Sequence, residues 1–72
     1  MFLHNRLKEI RNQKGLTQEV LARAVGVTRQ TIIAVEQGKY VPSVKLALEL
    51  SAALETPLVE LFWLEDRKGA RQ

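Results

Sequence analysis

The apolar residues of the chain recur at helical spacing in five short segments, and glycine or proline separates each segment from the next. The breaks fall at Gly15, Gly26, Gly38, Pro42 and Pro57. Within the segments, apolar residues lie three or four positions apart, which places them on one face of a helix, and the alternation typical of strands is missing. The pattern therefore predicts an all-α fold of five short helices with no strand.

Each predicted helix begins at or just after a polar residue that can accept a hydrogen bond from the first turn. The predicted helices span residues 5–14, 18–25, 29–37, 44–54 and 57–65. The expected caps are Asn5, Thr17, Thr28, Ser43 and Thr56. Because the helices and their links are short, we expect a compact cluster with steep crossing angles rather than a long up-down bundle.

The second and third segments are separated by only three residues, beginning at Gly26. A glycine-containing turn of this length between two short helices is the helix-turn-helix arrangement, here over about residues 17–37. Gly26 stands where the chain reverses and where a positive φ is expected, and Ala22 is small where the two helices would cross. We expect the inner side of the turn and of the third helix to be formed by Val27, Ile32 and Val35.

The outer side of the third helix carries the most informative chemistry. Arg29, Ile33 and Gln37 recur at every fourth position, and Gln30 and Ala34 flank them. These side chains match the edges of DNA bases, since Arg pairs with guanine, Gln pairs with adenine, and apolar groups contact the thymine methyl. The alternative is that Ile33 and Ala34 are buried and that Arg29 is merely solvated.

Residues on either side of this face are placed to contact a phosphate backbone. Gln18 and the backbone N–H groups at the start of the second helix can donate to phosphate oxygens. Lys39 and Tyr40 follow the third helix and can reach the backbone again. The predicted DNA-binding residues are Thr17, Gln18, Thr28, Arg29, Gln30, Ile33, Ala34, Gln37, Lys39 and Tyr40.

The uneven charge of the chain favours an anionic partner for its first part. Residues 1–45 carry eight lysines and arginines against three acidic residues, a balance of +5. Residues 46–72 carry three against five, or −2, and the whole chain has a net charge of +3. An ordinary mixed surface is the alternative interpretation.

The same composition argues against several classes of function. The chain has no cysteine, a single histidine at His4 and no glycine-rich phosphate loop, so we expect no enzyme, no metal site and no cofactor. No apolar run approaches the ~20 residues of a membrane span. The opening Met-Phe-Leu is too brief for a signal peptide. We therefore expect a cytoplasmic protein with no membrane partner.

Three motifs resemble the Cro/repressor-type helix-turn-helix family, also called the xenobiotic-response-element (XRE) family. They are Leu-Thr-Gln at 16–18, Val-Gly-Val-Thr-Arg-Gln-Thr-Ile at 25–32, and Glu-Gln-Gly-Lys-Tyr-Val-Pro-Ser at 36–43. The resemblance extends from Asn5 to Glu65, so we expect one domain over residues 5–65 and a polar tail over 66–72.

The resemblance implies a compact five-helix, lambda-repressor-like domain that binds double-stranded DNA, usually as a dimer, with the third helix in the major groove. It implies that Gln18 and Lys39 contact phosphates. It also implies that bases or the nearby backbone are faced by Thr28, Arg29, Gln30, Ile33 and Ala34. It also implies that Arg11 and Glu36 form a structural pair between helix one and helix three. Ile33 departs from the small or polar residue often found at that position, which leaves its base preference open.

A second apolar stripe raises the question of self-association. Val44, Leu48 and Ala52 recur at every fourth position of the fourth helix, and Trp63 follows in the fifth. These residues belong either to a single core or to a two-fold dimer interface, where aromatic residues are enriched. A dimer would place two recognition helices about one DNA turn apart, ~34–36 Å, over a near-palindromic site.

These observations favour a sequence-specific DNA-binding transcriptional regulator, and we expect a repressor that acts as a homodimer. The alternative is a protein-interaction module, such as an adaptor or an antitoxin with an unknown protein partner, in which DNA binding is secondary. A non-specific, chromatin-like basic protein is disfavoured, because a net charge of +3 neutralises few phosphates.

Overall fold

Five helices and a two-stranded antiparallel sheet make up residues 1–66, the part of the chain that the computed structural model describes. The elements follow in the order β1 (Phe2–Asn5), α1 (Leu7–Gln13), α2 (Gln18–Val25), α3 (Arg29–Glu36), α4 (Val44–Ala53), α5 (Leu58–Leu61) and β2 (Phe62–Glu65). The five predicted helices are present, and α2 has the predicted bounds. Of the predicted polar tail, all but Asp66 lies outside the described residues.

The sheet shows that the prediction of an all-α fold was wrong. β1 pairs antiparallel with β2, so that Leu3 lies opposite Leu64 and His4 lies opposite Trp63. The predicted fifth helix is therefore too long, since α5 ends at Leu61 and the following residues are extended. β1 also adds residues 2–4 to the ordered part of the domain that was predicted to begin at 5.

Two physical reasons explain why the sheet was missed. Residues 61–64 are a continuous apolar run, which is compatible with either a helix or a strand, and Phe and Trp favour strands. The partner strand lies at the other end of the chain, so local periodicity carries no trace of the pairing. Because a two-stranded sheet is marginal alone, it depends on packing against the helices, which Leu3 and Phe62 provide.

Side-chain caps start three of the helices as predicted. The Thr17 hydroxyl accepts from the Val20 N–H at 3.1 Å, and the Thr28 hydroxyl accepts from the Thr31 N–H at 3.2 Å. The Ser43 hydroxyl likewise accepts from the first turn of α4 at 3.0 Å. These bonds satisfy N–H groups that have no acceptor within their own helix.

The other two predicted caps were wrong. Asn5 lies in β1, although its Oδ1 still accepts from the Leu7 N–H at 3.0 Å, and Arg6 occupies the cap position of α1. The side-chain amide of Asn5 donates through Nδ2 to the Val35 carbonyl at 3.0 Å, which ties the sheet to α3. Thr56 donates its hydroxyl to the Leu54 carbonyl at 2.9 Å, so it closes the end of α4 and does not cap α5.

The core lies where all five helices meet. Its fully buried side chains are Leu7, Leu21, Ile32, Val35, Leu50, Leu54 and Leu61. Val27, which was predicted with Ile32 and Val35, is partly buried and packs against this cluster. Removing this much apolar surface from water is the main stabilising term available to a chain without disulfides.

The turn between α2 and α3 depends on Gly26. This residue is left-handed, with φ 74° and ψ 31°, and the N–H of Val27 donates to the Ala22 carbonyl at 3.0 Å. Ala22 is buried, so the two helices approach closely at this point. The reversal at Gly26 thus allows Thr28 to begin α3 after only one intervening residue.

We expect the substitution Gly26→Ala to reduce the free energy of unfolding by about 1–2 kcal/mol, because the left-handed conformation crowds a β-carbon against its own backbone. Apart from Gly26 and its two chain neighbours, nothing lies within 4 Å of the position that this carbon would occupy, so local backbone strain sets the cost. Gly26→Asn is the control, since Asn tolerates this conformation better. Urea unfolding measures both, and equal stability of the Ala variant and the unaltered chain would contradict the explanation.

Candidate nucleic-acid interface

The outer face of α3 is open to solvent along its length. Arg29, Gln30 and Gln37 are exposed, and Ile33 and Ala34 are half-buried. The alternative of a fully buried Ile33 and Ala34 is therefore not what the structure shows. The core instead takes the other side of the helix, and the face keeps apolar and hydrogen-bonding groups together.

No carboxylate lies on this face of α3, because the helix's one acidic side chain turns inward. Glu36 has 4% of its side chain exposed and pairs with Arg11, which has 8% exposed. Arg11 Nε donates to Glu36 Oε2 at 2.6 Å, and Nη2 donates to Oε1 at 3.4 Å. The pair that the resemblance implied is thus in contact and joins α1 to α3.

The second terminal nitrogen of Arg11 extends this pair to the loop before α2. Arg11 Nη1 donates to the Leu16 carbonyl at 2.8 Å and to Asn12 Oδ1 at 3.2 Å. One guanidinium therefore fixes the end of α1, the loop that follows it and the last turn of α3. A charged group at this degree of burial is tolerated because each of its nitrogens has an acceptor.

Gln18 connects the buried pair to the surface. Its Nε2 donates to Glu36 Oε1 at 3.1 Å, and its Oε1 accepts from Arg29 Nε at 3.2 Å. The sequence placed Gln18 at the start of α2 as a phosphate contact, but it gave no sign of these two bonds. The partners are 18 and 11 residues away, and no local spacing indicates such contacts.

The starts of α2 and α3 border one open cleft together with the end of α1. Thr17, Gln18 and Arg29 line it, as does Glu19, whose carboxylate adds a negative charge at its rim. Glu19 pairs with Arg23 at 3.7 Å on the exposed side of α2. The first-turn N–H groups of a helix point outward from its start, so this cleft combines cationic and neutral donors.

Lys39 and Tyr40 lie just beyond α3 and are both exposed. The Lys39 N–H donates to the Ala34 carbonyl at 2.9 Å, which closes the end of the helix after the left-handed Gly38. Both residues therefore lie beyond the opposite end of α3 from Arg29. Thr17 and Thr28 are the caps of α2 and α3, so the predicted set includes positions at both ends of α3.

The apolar stripe of α4 is not part of the core. Val44 is 76% exposed and Leu48 is 52% exposed, Ala52 is also exposed, and the buried residues of this helix are Leu46 and Leu50. Of the two interpretations left open by the sequence, the single core is therefore excluded for these three residues. Val44 also lines an apolar groove between α4 and β2, which we call the α4–β2 groove.

The α4–β2 groove lies between the start of α4 and the segment that runs from α5 into β2. It is lined by Leu3, Val41, Pro42, Ser43, Val44, Ala47, Leu58, Val59, Phe62, Trp63 and Leu64. Val41, Val59 and Leu64 are 69%, 77% and 59% exposed. Val41 and Val59 were not singled out from the sequence, although each is an apolar residue outside the predicted core faces.

Trp63 is half-buried and belongs to a small cluster on the sheet. Its indole stacks on the His4 imidazole with ring centroids 6.1 Å apart, and its Nε1 donates to Glu65 Oε2 at 2.9 Å. His4 Nε2 lies 3.3 Å from Glu65 Oε1.

No group of three side chains suited to binding a metal ion occurs among residues 1–66. In the same range, no helix has the length and apolar character needed to cross a membrane.

Comparison with known proteins places the chain in a family. Residues 7–61 match the family described as helix-turn-helix. The HTH-type transcriptional regulator YgzD of Bacillus subtilis is 47% identical over 64 residues, which cover 89% of this chain and 97% of that protein. The HTH-type transcriptional regulator MJ0272 of Methanocaldococcus jannaschii shows the same identity and the same coverage.

Solved structures agree with this assignment. The restriction-modification controller protein C.AhdI from Aeromonas hydrophila is 42% identical and superposes with a TM-score of 0.75, covering 79% of this chain and 86% of that one. The transcription factor NHTF from Neisseria is 30% identical with a TM-score of 0.69, covering 75% and 62%.

The chain therefore belongs to the helix-turn-helix family of transcriptional regulators, of the Cro-like XRE type. It is a DNA-binding regulator and not an enzyme, because both its relatives and its fold are those of such regulators. The resemblance identified from the sequence motifs is confirmed.

We expect Arg11→Met to reduce the free energy of unfolding by about 3–5 kcal/mol, since it leaves the Glu36 carboxylate buried without its cation. The double variant Arg11→Met with Glu36→Met should recover much of that loss, because neither charge remains buried. As a matched control, Lys45→Met removes half of the exposed Lys45–Glu49 pair and should cost less than about 1 kcal/mol. Thermal unfolding compares the variants, and similar costs for Arg11→Met and Lys45→Met would contradict the burial argument.

Proposed function

We propose that this protein is a repressor that binds a near-palindromic operator in double-stranded DNA as a homodimer, with α3 in the major groove. The observation that supports this most is the outer face of α3. It displays the exposed side chains of Arg29, Gln30 and Gln37, and it carries no carboxylate among residues 1–66, because Glu36 of the same helix is buried. A helix presented in this way fits the width of the major groove and matches the donor and acceptor pattern of base edges.

Arg29 is the residue that we propose reads a base most strongly. Its Nε donates to Gln18, so the guanidinium is held at one edge while its two terminal nitrogens are left for a ligand. Paired terminal N–H groups match O6 and N7 of guanine. Gln30 and Gln37 are suited to adenine, and Ile33 and Ala34 present methyl groups to thymine.

The phosphate contacts are proposed on both sides of that face. Thr17, Gln18 and Thr28 lie at the starts of α2 and α3, where N–H groups and partial positive charge favour phosphate. Lys39 and Tyr40 would contact the backbone beyond the other end of α3. Such contacts position the protein and supply salt-dependent affinity that is independent of sequence.

Dimerisation is proposed through the α4–β2 groove, which includes Trp63, together with Leu48 and Ala52 of α4. Exposed apolar side chains gathered on one surface favour burial against a partner. A two-fold contact there would use the same patch on both copies and so pair two α3 helices for the two halves of a symmetric site. Acting through DNA, the protein would be associated with the nucleoid in the cytoplasm.

The test is selection of binding sites from random duplex DNA with the purified protein at physiological salt, followed by sequencing. A two-fold symmetric motif with half-sites about one helical turn apart is the expected result. Enrichment of no motif by the folded protein would contradict the proposal. It would instead favour the adaptor or antitoxin role, in which the groove receives another protein.

We expect Arg29→Ala and Lys39→Ala to weaken operator binding in different ways. Arg29→Ala should cost about 1–3 kcal/mol and relax the preference at one base pair, because base-edge hydrogen bonds are lost. Lys39→Ala should weaken binding evenly across sequences and lower the salt slope by about one unit, because one phosphate contact is lost. Fluorescence anisotropy over a salt series and a set of single-base operator variants separates the two. Identical effects of both substitutions would refute the assignment of roles.

We expect Trp63→Ala to weaken dimerisation and operator binding together. Val44→Glu is a sharper second variant, because Val44 is 76% exposed and the substitution leaves the core intact while opposing two carboxylates across a two-fold contact. Val20→Glu is the control for dimerisation, since Val20 is 47% exposed on α2 and lies outside the groove. Sedimentation at micromolar concentration measures the dimer, and unchanged profiles for Trp63→Ala and Val44→Glu would exclude this interface.

A further inference from the structure

We propose that Glu36 is a positioning residue for base recognition, which sets the orientation of Arg29 toward guanine through the side-chain amide of Gln18. This inference rests on the proposed function and concerns the same DNA interface. Glu36 itself is buried and faces away from the outer side of α3, so its effect on a bound base pair is indirect.

The hydrogen-bonding capacity of the three groups permits one arrangement. The Glu36 carboxylate accepts only and the Arg29 guanidinium donates only, whereas the Gln18 amide has one accepting end and one donating end. Gln18 satisfies both neighbours when Nε2 faces Glu36 and Oε1 faces Arg29, as the 3.1 Å and 3.2 Å contacts show. The opposite orientation would set oxygen against carboxylate and N–H groups against guanidinium.

We call the hydrogen bonds that run from Glu36 through Gln18 to Arg29 the relay. Its inner end, at Glu36, is held firmly. Glu36 receives two hydrogen bonds from Arg11, at 2.6 Å and 3.4 Å, and both side chains are more than nine-tenths buried. Arg11 is fixed in turn by the Leu16 carbonyl at 2.8 Å. A carboxylate held by these hydrogen bonds keeps one orientation, so Oε1 accepts from Gln18 at a fixed position.

The outer end of the relay prepares Arg29 for one kind of base. A free arginine loses much rotamer entropy when it is immobilised, and holding Nε beforehand reduces that loss. Because Nε is engaged by Gln18, the terminal nitrogens are the pair presented outward, and that pair fits O6 and N7 of guanine. The relay should therefore favour the discrimination of guanine over other bases more than it favours overall affinity.

The central experiment measures operator binding and base preference for Glu36→Gln. An amide at this position has a single accepting oxygen, which Arg11 Nε would take, so its NH₂ group would face Gln18. Gln18 must then turn its oxygen inward and its NH₂ toward Arg29, where two donors oppose each other. We expect the guanine preference at the base pair read by Arg29 to fall about fivefold to tenfold. This loss is a part of the discrimination that one bidentate contact supplies. The salt slope should change by no more than about one unit, because Gln18 is the one proposed phosphate contact that this variant turns. Affinity for random DNA should therefore fall less than the guanine preference.

Gln18→Met tests the same relay while leaving both hydrogen bonds between Arg11 and Glu36 in place. Methionine is similar in shape but forms no comparable hydrogen bonds, so this variant should show a similar loss of guanine preference. The double variant with Glu36→Gln should lose no more than Gln18→Met alone, because both substitutions break one pathway. In an Arg29→Ala background, Glu36→Gln should have no further effect at that base pair. A merely structural role for Glu36 predicts a uniform loss of binding instead.

The outcomes are separable from those of the proposed function. If the unaltered chain selects an operator and Arg29→Ala loses the guanine preference, then a folded Glu36→Gln variant that keeps this preference overturns the relay alone. Should Glu36→Gln fail to fold by circular dichroism, Gln18→Met decides, and an unchanged guanine preference overturns the proposal. If the unaltered chain selects no sequence, the proposed function fails first and the relay falls with it.

Discussion

The buried ion pair between Arg11 and Glu36 is the interaction on which the arrangement of α1, α2 and α3 depends. Its two charges join α1 to α3, and its remaining donors hold the loop that starts α2. Burial makes the pair costly to break, although a well-packed apolar replacement can be as stable. The pair therefore serves to fix direction, because a carboxylate and a guanidinium set angles as well as distance. It holds α3, the proposed recognition helix, at a defined angle to α1.

Around that pair, the domain is assembled from short pieces that are each too weak to persist alone. Isolated helices of seven to ten residues are marginal in water, so packing against the shared core stabilises them. Caps at Thr17, Thr28 and Ser43 fix where three of them start, and Gly26 fixes the angle between α2 and α3. The side chains proposed to contact DNA can then be spared from packing, because the opposite side of each helix supplies the core.

The sequence predicted most of what depends on neighbouring residues. Three of the five caps, the glycine stops and the exposed face of α3 follow from spacings of a few positions, and so did the family resemblance. The sheet was not predictable in this way, since β1 and β2 are separated by nearly the whole chain. The same applies to Gln18, whose two partners are fixed by tertiary packing, and to Val44 and Leu48, whose apolar stripe is equally suited to a core or to an open surface.

The pairing of β1 with β2 also determines how the chain closes. Phe2 lies opposite Glu65, so this sheet joins residues separated by almost the full described length. Among residues 1–66, such a contact carries the largest loop-closure entropy, whereas the helix-turn-helix forms from residues close in sequence. Folding is thus expected to begin in the helices and to end at the sheet. The groove that borders the sheet would be completed only at that last step, so the proposed dimer would form only from chains that have already folded.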